Sequence, residues 1–414
     1  MGDHNSVCVA QLAHIGLLGR HGAFKQDRAS LYSKPLPRCK ILQGIYIDDH
    51  VVLGVMKRDQ LGKPHSPDRV IVEKARAAYK SEALPTSVKK SFDFQKNFVA
   101  WGTEVLGPKG LVGSPGEKRM QVLLLSLLTA AMTAVTKPVM QSLLGSLIFP
   151  LSHRKETMCT LSRVFAFVEH MHPRRAERLP VIIREELVSA GLNLMVATTN
   201  IRTPISTHIT CSDATPQSAG AVACDLSLDS SEALFDFGET KGTYARLDWS
   251  ELDWRLQKWE PIELPEVLSN VIASAPWKVI DETGFRNTRH VNIQEAKAMK
   301  RVLVKQAHRS QEPERIINGT DSRVVLGAYA KGRSSSIHLN NILRSCLGWS
   351  VLGRKKLVQF YFRSKENPAD DPSRNVALRV PKAPSPDIAK LLRPHRTLSV
   401  KGNKGVHAPH RLCK

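Results

Sequence analysis

The chain has 414 residues, of which 42% are hydrophobic, so it is long enough for two or three domains with real cores. Its 60 Lys and Arg outnumber 38 Asp and Glu, and the resulting net charge of +22 favours a polyanionic partner. No apolar run reaches the roughly 20 residues of a membrane-spanning helix, and the first residues lack the order of a secretory signal. We therefore expect no membrane association and no secretion.

The cysteines support the same expectation about location. The seven cysteines are scattered and contain no Cys-x-x-Cys pair. This pattern argues against a zinc ribbon or a disulfide framework and favours a reducing compartment, the cytoplasm or the nucleus.

The first predicted elements surround a pair of adjacent acids. Residues 1 to about 40 indicate a loop and a helix, with apolar positions between Val9 and Leu18. Two apolar, β-branched runs then flank Asp48 and Asp49, which predicts a short hairpin with two carboxylates at its tip. Neighbouring carboxylates repel each other, so the tip is a candidate divalent-metal site, with a solvated turn as the alternative.

The central part of the chain is predicted to be largely helical. A polar helix is expected from Asp68 to Tyr79, and a basic segment with Lys89 and Lys90 follows it. Residues 117–135 predict a strongly apolar, buried helix, and residues 139–148 predict a second helix. Core packing explains the leucines of both helices, so we assign them no chemistry. Residues 150–204 are interpreted as a connector.

A second group of acids follows further along the chain. Two β-runs between residues 207 and 225 predict a hairpin that places Asp213 near the centre of a sheet. Glu295 lies in a predicted helix that opens near residue 290, Asp321 ends a short strand, and Asp370 begins a final helix or turn. One such acid is ordinarily a cap or a surface group. An ordered set of four indicates a site.

The chemistry of phosphodiester cleavage explains why such a set is needed. In-line attack by water uses two Mg²⁺ ions about 4 Å apart, one activating the water and one stabilising the leaving oxygen. Mg²⁺ prefers oxygen ligands, so carboxylates from distant parts of the chain must converge.

The first acidic pair resembles the signature of reverse transcriptases. Tyr46-Ile47-Asp48-Asp49 is similar to the Tyr-x-Asp-Asp hairpin, which lies in the polymerase palm and helps to hold two Mg²⁺ ions. By this resemblance, Lys89 or Lys90 would lie near the incoming nucleotide, and a basic surface turn is the alternative. The family takes a third carboxylate from a segment upstream of the one where this sequence begins, so we expect no DNA synthesis by this chain alone.

The second set of acids resembles RNase H. The runs 321–336 and 367–374 closely resemble the RNase H module of DIRS-type and related retroelement Pol proteins. This resemblance implies a two-Mg²⁺ site whose catalytic ligands are Asp213, Glu295, Asp321 and Asp370. The Ala-Asp-x-x-Ser-Arg frame favours Asp370 as the last ligand, with the adjacent Asp371 as the alternative.

Residues within the first of these runs are candidates for contacts with nucleic acid. Lys331, Arg333, Ser334 and Ser335 offer cations and small hydroxyl groups suited to phosphates or ribose 2′-OH groups of an RNA·DNA hybrid. A flexible Gly/Ser linker is the alternative.

Together these observations predict an α+β or α/β multidomain chain. We expect a partial palm over 1–115, a helical thumb and connector over 116–204, an RNase H-like mixed sheet with flanking helices over 205–376, and a basic disordered tail over 377–414. The interval of 82 residues between Asp213 and Glu295 is long, so an insertion is expected at about 230–285. It holds Trp249, Trp254 and Trp259, for which packing is favoured over base stacking because acids lie between them.

The expected function is Mg²⁺-dependent endonucleolytic cleavage of RNA in RNA·DNA hybrids by a retroelement-derived fragment. A non-enzymatic alternative is a remnant that binds RNA or DNA through its charge without cutting it. An integrase of related fold is a further alternative, but such enzymes typically place their Glu last, whereas Glu295 is second in order here. The sequence leaves the oligomeric state open.

Overall fold

The structure is a computed structural model that describes residues 6–31, 36–60, 63–87, 89, 91–240, 242 and 264–393. Its packing forms two compact units. The first comprises residues up to 202 together with 331–335, and the second comprises residues 203–330 and those from 336 onward.

The first unit combines small antiparallel sheets with a helical layer. Its elements, in chain order, are α1 (Ser6–Arg20), β1 (Ile41–Tyr46), β2 (Asp49–Gly54), α2 (Pro67–Ser81), β3 (Asn97–Ala100), β4 (Thr103–Leu106), β5 (Leu111–Gly113), α3 (Gly116–Ala131), β6 (Ala134–Val135), α4 (Lys137–Ser152), α5 (Arg163–His170), β7 (Glu177–Arg178), α6 (Val181–Asn193) and β8 (Thr198–Asn200). Strands β1 and β2 form the predicted hairpin, β3, β4, β5 and β8 form a four-stranded sheet, and β6 pairs with β7.

The helices α3 to α6 share one apolar core. Met140, Leu147 and Leu151 of α4 are fully buried there, as is Leu187 of α6. The prediction of a buried helix at 117–135 is wrong for one face of α3: Leu124, Leu125 and Leu128 are 54%, 51% and 65% exposed. The cause is that α3 packs through one stripe of residues against its neighbours, while its leucines extend all around the helix.

The second unit is built on a five-stranded mixed sheet. Its elements, in chain order, are β9 (Ile205–Ala214), β10 (Ser218–Asp225), α7 (Leu228–Asp236), α8 (Glu266–Ser274), β11 (Lys278–Gly284), α9 (Val291–Arg309), β12 (Glu314–Thr320), α10 (Arg323–Lys331), α11 (Ile337–Val351), β13 (Lys355–Tyr361), α12 (Asp370–Ser373) and α13 (Pro386–Leu392). The strand order is β11-β10-β9-β12-β13. The predicted α+β multidomain fold, with a mixed sheet and flanking helices, is confirmed.

Strand directions place the ends of two strands side by side. β9 is antiparallel to β10 but parallel to β12, and β12 is parallel to β13. Parallel neighbours bring their carboxyl ends to the same edge of a sheet. Ile209, Val222, Ile317 and Phe360 are essentially inaccessible to solvent in the core beneath this sheet.

Two sequence predictions about this unit need correction. The expected insertion at 230–285 contains β11, which pairs with β10, and α8, which buries Val271 and Ile272 in the core of the unit. Those residues therefore belong to the fold because they cover the sheet and extend its edge. Trp249, Trp254 and Trp259 lie outside the described residues.

The second correction concerns the predicted disordered tail at 377–414. Helix α13 lies within it: Ser385 caps the helix by accepting a hydrogen bond from the backbone amide of Ile388, whose side chain is buried. The apolar residues of this helix pack against the core, which keeps this part ordered. Residues 394–414 are outside the described part of the chain. None of the helices that the structure describes is both long and apolar enough to cross a membrane.

Candidate active site

The first acid of the site lies near the end of a central strand. Asp213 is the penultimate residue of β9, is 4% exposed, and pairs across the sheet with Gly220 of β10. β9 has sheet neighbours on both sides, so the backbone at Asp213 is fixed. The position agrees with the sequence prediction that Asp213 lies near the sheet centre.

The register of the sheet brings the third acid to the same level. Gly319 of β12 pairs with Cys211 of β9, so Asp321, two residues further along a parallel strand, reaches the level of Asp213. Asn318 strengthens this alignment because its side-chain amide donates to Ser212 Oγ at 3.0 Å. Asp321 follows directly on Thr320, the last residue of β12.

The second acid reaches the site from a helix. Glu295 lies in the second turn of α9 and is 8% exposed, because Ala296, Met299 and Val302 on the neighbouring face of the helix are buried in the unit. Its Oε2 atom is buried and has no hydrogen-bond partner among the described residues.

The three acids converge to metal-binding distance. One carboxylate oxygen from each of Asp213, Glu295 and Asp321 lies within 4.8 Å of the others. Glu295 and Asp321 border an open cleft of about 320 Å³, whose wall includes Asn292, Ser322 and Arg323. No Lys or Arg among the described residues forms an ion pair with any of the three.

The fourth predicted acid begins α12, close to this group. Asp370 is near enough for its charge to raise the pKa of both Asp213 and Glu295. Its own Oδ1 accepts a hydrogen bond of 2.8 Å from Arg374. The neighbouring Asp371 is engaged elsewhere, since Arg379 donates to it from Nε at 2.7 Å and from Nη2 at 2.8 Å. These contacts favour Asp370 over Asp371 as the acid available to the site.

Residues on either side of Asp370 bind the other carboxylates. The side-chain amide of Asn367 donates to Asp321 Oδ1 at 3.2 Å and to the Ser212 carbonyl at 3.3 Å. The hydroxyl of Ser373 donates to Asp213 Oδ2. Asn367 and Ser373 thus orient two acids that the sequence analysis placed in the site, although it assigned neither residue a role.

A glycine allows this segment to approach the sheet. A Cβ atom at Gly220 would lie 2.3 Å from the backbone nitrogen of Ser373 and 2.7 Å from the Ala369 carbonyl oxygen. Because Gly220 is the cross-strand partner of Asp213, the missing side chain leaves room for α12 directly over the acid. Sequence alone offered no signal for this role of Gly220.

Burial and mutual repulsion dominate the electrostatics of the site. Burial first, and then the charges of Asp321 and Asp370, raise the pKa of Asp213 to about 7 although the Ser373 hydroxyl opposes the shift. Burial, followed by the charges of Asp213, Asp321 and Asp370, raises the pKa of Glu295 to about 9. These neighbouring acids are costly to ionise together, and a cation bound by all of them would offset their repulsion.

The donor set fits a hard divalent cation. The ligand atoms are all carboxylate oxygens, as Mg²⁺ requires, and Glu295 Oε2 is an orphaned buried acceptor that an ion would satisfy. The site therefore fits the class of ion that the sequence predicts.

No family model and no curated protein matches the chain. It is similar to solved structures of a foamy viral protease-reverse transcriptase: two complexes with double-stranded DNA, each 12% identical with a TM-score of 0.35, and one with an RNA/DNA hybrid, 12% identical with a TM-score of 0.29.

These matches cover most of this chain but only part of the others. For the two DNA complexes they span 87% and 88% of this chain and 49% and 60% of the other chain, and for the hybrid complex 78% and 56%. The chain thus spans about half the length of the structures it matches. At these TM-scores we draw no functional conclusion from the likeness.

The other predicted metal ligands lie in the first unit. Asp48 and Asp49 are exposed at the tip of the β1–β2 hairpin, and no third acid of the described residues joins them in a metal-binding group. Ile47 in the turn has a φ of +54°, which is unfavourable for a β-branched residue. Gln11 and His14 of α1 hold it: Gln11 Oε1 accepts from the Ile47 amide at 2.6 Å, and His14 Nδ1 lies 2.8 Å from its carbonyl oxygen.

The predicted nucleic-acid contacts are also in the first unit. Lys89 is exposed, and Lys90 lies outside the described residues. Lys331 ends α10, and Lys331, Arg333, Ser334 and Ser335 belong to the first unit. The Arg333 guanidinium lies 4.8 Å from the centre of the Phe165 ring, a cation–π contact.

Proposed function

We propose that this protein cleaves RNA in RNA·DNA hybrids by Mg²⁺-dependent hydrolysis, with Asp213, Glu295, Asp321 and Asp370 as its catalytic ligands. The observation that carries the proposal is the convergence of three carboxylates, two of them buried, within 4.8 Å and without a basic partner. The order of these acids along the chain, Asp, Glu, Asp and Asp, supports RNase H chemistry over the integrase alternative.

Each acid has a distinct task in this proposal. Asp213 and Asp321, fixed on adjacent strand ends and oriented by Ser373 and Asn367, would hold the ions through their carboxylate oxygens. Glu295 would offer the oxygen that has no protein partner, and Asp370 would close the site once its bond to Arg374 is exchanged. When bound, two Mg²⁺ ions activate the attacking water and neutralise the charge on the leaving oxygen.

The proposed substrate follows from charge and from the sequence resemblance. The net charge of +22 favours a nucleic acid, and the two runs similar to retroelement RNase H favour the hybrid. We assign phosphate or ribose contacts to Lys331, Arg333, Ser334 and Ser335 on the same resemblance. An origin in a DIRS-type or related retroelement belongs to this proposal too.

A separate polymerase-type site is proposed for Asp48 and Asp49, with Lys89 and Lys90 near an incoming nucleotide. Because no third acid of the described residues accompanies the pair, we expect no primer extension by the isolated chain. Primer extension in a gel assay with a primed template and all four nucleotides would overturn this part of the proposal.

The first test is cleavage of a labelled RNA·DNA hybrid in the presence of Mg²⁺. We expect the parent protein to cut the RNA strand and the Asp321→Asn variant to lose this activity while keeping its hydrogen bond from Asn367, since the Asn oxygen still accepts. Asp387→Asn is the matched control, because Asp387 is 91% exposed in the first turn of α13. Duplex DNA should remain intact.

The outcome discriminates between the two candidate functions. Cutting of the hybrid that survives Asp321→Asn would refute the assigned site. Salt-dependent binding with no cutting, unchanged by Asp321→Asn and by removal of Mg²⁺, would favour a non-catalytic nucleic-acid-binding remnant instead.

A further inference from the structure

One face of α9 carries a cluster of positive charges away from the carboxylates. Lys297, Lys300, Arg301 and Lys305 line a cavity of about 510 Å³ together with Phe285 and Val304. At about 100° per residue, Lys297, Lys300 and Val304 lie roughly on the opposite side of α9 from Glu295, while Arg301 and Lys305 lie about 120° and about 80° from it. The cavity is therefore distinct from the candidate active site.

Buried contacts hold one of these cations in place. Gln294, which is fully buried, donates from its side chain to the Pro216 and Asn287 carbonyls at 3.2 and 3.1 Å. Its Oε1 accepts a hydrogen bond of 3.0 Å from Lys297 Nζ, which also lies 5.3 Å from the centre of the Phe285 ring. The Lys297 ammonium is thus positioned before any ligand arrives.

The cluster carries more positive charge than nearby acids offset. Asp281 pairs with Arg301 and, at 3.3 Å, with Lys305. Lys297 and Lys300 form no ion pair with an acid of the described residues. Burial and the neighbouring charge of Arg289 lower the pKa of Lys297, as expected where cations crowd together.

The dimensions of the cluster match a polyanionic chain. From Lys297 to Lys305 the helix rises about 12 Å, which corresponds to three or four nucleotides of one strand at about 3.4 Å each. The Phe285 ring and Val304 add an apolar floor between the cations, which suits sugars and bases better than a bare acidic peptide.

We propose that this cavity is an accessory site that binds the phosphodiester backbone of a nucleic acid. The nucleic acid binds on the outer face of α9, and this binding does not require cleavage. The ligand is either a single strand or a duplex segment, and these two sources predict different salt dependences.

The test measures equilibrium binding of fluorescent oligonucleotides by anisotropy, without divalent ions and over a range of salt concentrations. The Asp321→Asn variant serves as the background, so that cleavage plays no part. Lys297→Ala with Lys300→Ala is compared with a matched control, Lys365→Ala with Lys382→Ala, two exposed lysines in the same unit.

Two lost phosphate contacts should reduce the slope of log K against log salt by about 1.4 for a single strand or about 1.8 for a duplex. At 0.1 M salt this corresponds to about 25-fold or about 60-fold weaker binding, relative to a 1 M reference state. The control pair should leave unchanged the part of the slope that the α9 lysines contribute. A reduced slope with either oligonucleotide supports the site and identifies its ligand.

Slopes that are unchanged by Lys297→Ala with Lys300→Ala, or changed equally by the control pair, would overturn the proposal. Absence of hybrid cleavage by the parent protein would refute the proposed function. It would not change the interpretation of the binding slopes, because the binding assay uses a background with no cleavage. The two inferences therefore fail separately. Circular dichroism of each variant checks folding, because Lys297 and Lys300 are partly buried on α9.

Discussion

Replacing Glu295 by Gln separates two effects of this side chain. One is the loss of folding stability that it causes in the metal-free protein, and the other is its proposed part in Mg²⁺ binding and cleavage. In the metal-free protein, burial and the neighbouring carboxylates raise the pKa of Glu295 to about 9, whereas in the unfolded chain this side chain has its ordinary pKa of 4.5. The folded state therefore binds more protons between these values, and its stability falls as pH rises through this window. Gln carries no proton to lose, so this part of the pH dependence disappears.

The magnitude follows from the width of the window. From pH 4.5 to pH 7.5 the parent loses about 4 kcal/mol through this group, at about 1.4 kcal/mol per pH unit. The loss continues toward pH 9 and levels off above it. The free energy of unfolding of Glu295→Gln, relative to the parent, should thus rise steadily over this range.

Urea unfolding of EDTA-treated protein at pH 5 to 8, followed by tryptophan fluorescence, measures this difference. Saturating Mg²⁺ should make the parent more stable than the variant. The ion stabilises the folded parent by binding to it, whereas in the variant the ion has lost one ligand and binds more weakly. Hybrid cleavage should be lost in the variant. Parallel stability curves for the two proteins, or equal stabilisation by Mg²⁺, would refute the assignment of Glu295 to a shared cation.

Three further predictions concern the surroundings of the same site. Gly220→Ala should lower the free energy of unfolding by about 1–3 kcal/mol and abolish cleavage, since its Cβ would meet backbone atoms of α12, whereas Gly348→Ala on open helix surface should be neutral or stabilising in the same denaturation assay. Ser373→Ala should weaken Mg²⁺ affinity about 10–100-fold by calorimetry, because it no longer orients Asp213, and an unchanged affinity would argue against that role. EDTA should stop hybrid cleavage and added Mg²⁺ restore it; activity that persists in EDTA would exclude a metal mechanism.

The parts of the fold that sequence predicted well have strong local signals. The two β-runs of β9 and β10 and the apolar stripe of α9 identified the hairpin around Asp213 and the helix of Glu295. The strand ending at Asp321 was equally clear. Because these elements carry three of the four predicted acids, their order along the chain was sufficient to propose the site.

The failures have physical causes that sequence patterns do not report. β11 is an edge strand with exposed Lys278, Val279 and Glu282, so it lacks the apolar character of a central strand and was assigned to an insertion. The role of Gly220 depends on α12, which lies some 150 residues away in the chain. Such contacts exist only once the sheet and the final helix have come together.

Two buried acids in the second unit, the structural carboxylate Asp281 and the proposed metal ligand Glu295, are treated differently by the fold. Asp281 of β11 is 7% exposed, and although burial raises its pKa, the hydrogen bonds and charges of Arg301 and Lys305 lower the pKa overall. Arg301 and Glu295 belong to the same helix, yet Glu295 forms no ion pair with a Lys or Arg of the described residues, and its pKa rises to about 9. The fold can therefore neutralise a buried acid with its own side chains.

The absence of such a partner at Glu295 within the described residues has an energetic consequence. A buried acid whose pKa is raised lowers the free energy of unfolding at neutral pH. A chain with 60 Lys and Arg has many side chains that could have paired with Glu295 and removed this destabilisation. Its neighbours at the site are instead further carboxylates, oriented by Asn367 and Ser373. This arrangement is favourable only when a cation from solution completes it, which is the physical reason for proposing a divalent-cation site here rather than a contribution to the stability of the sheet.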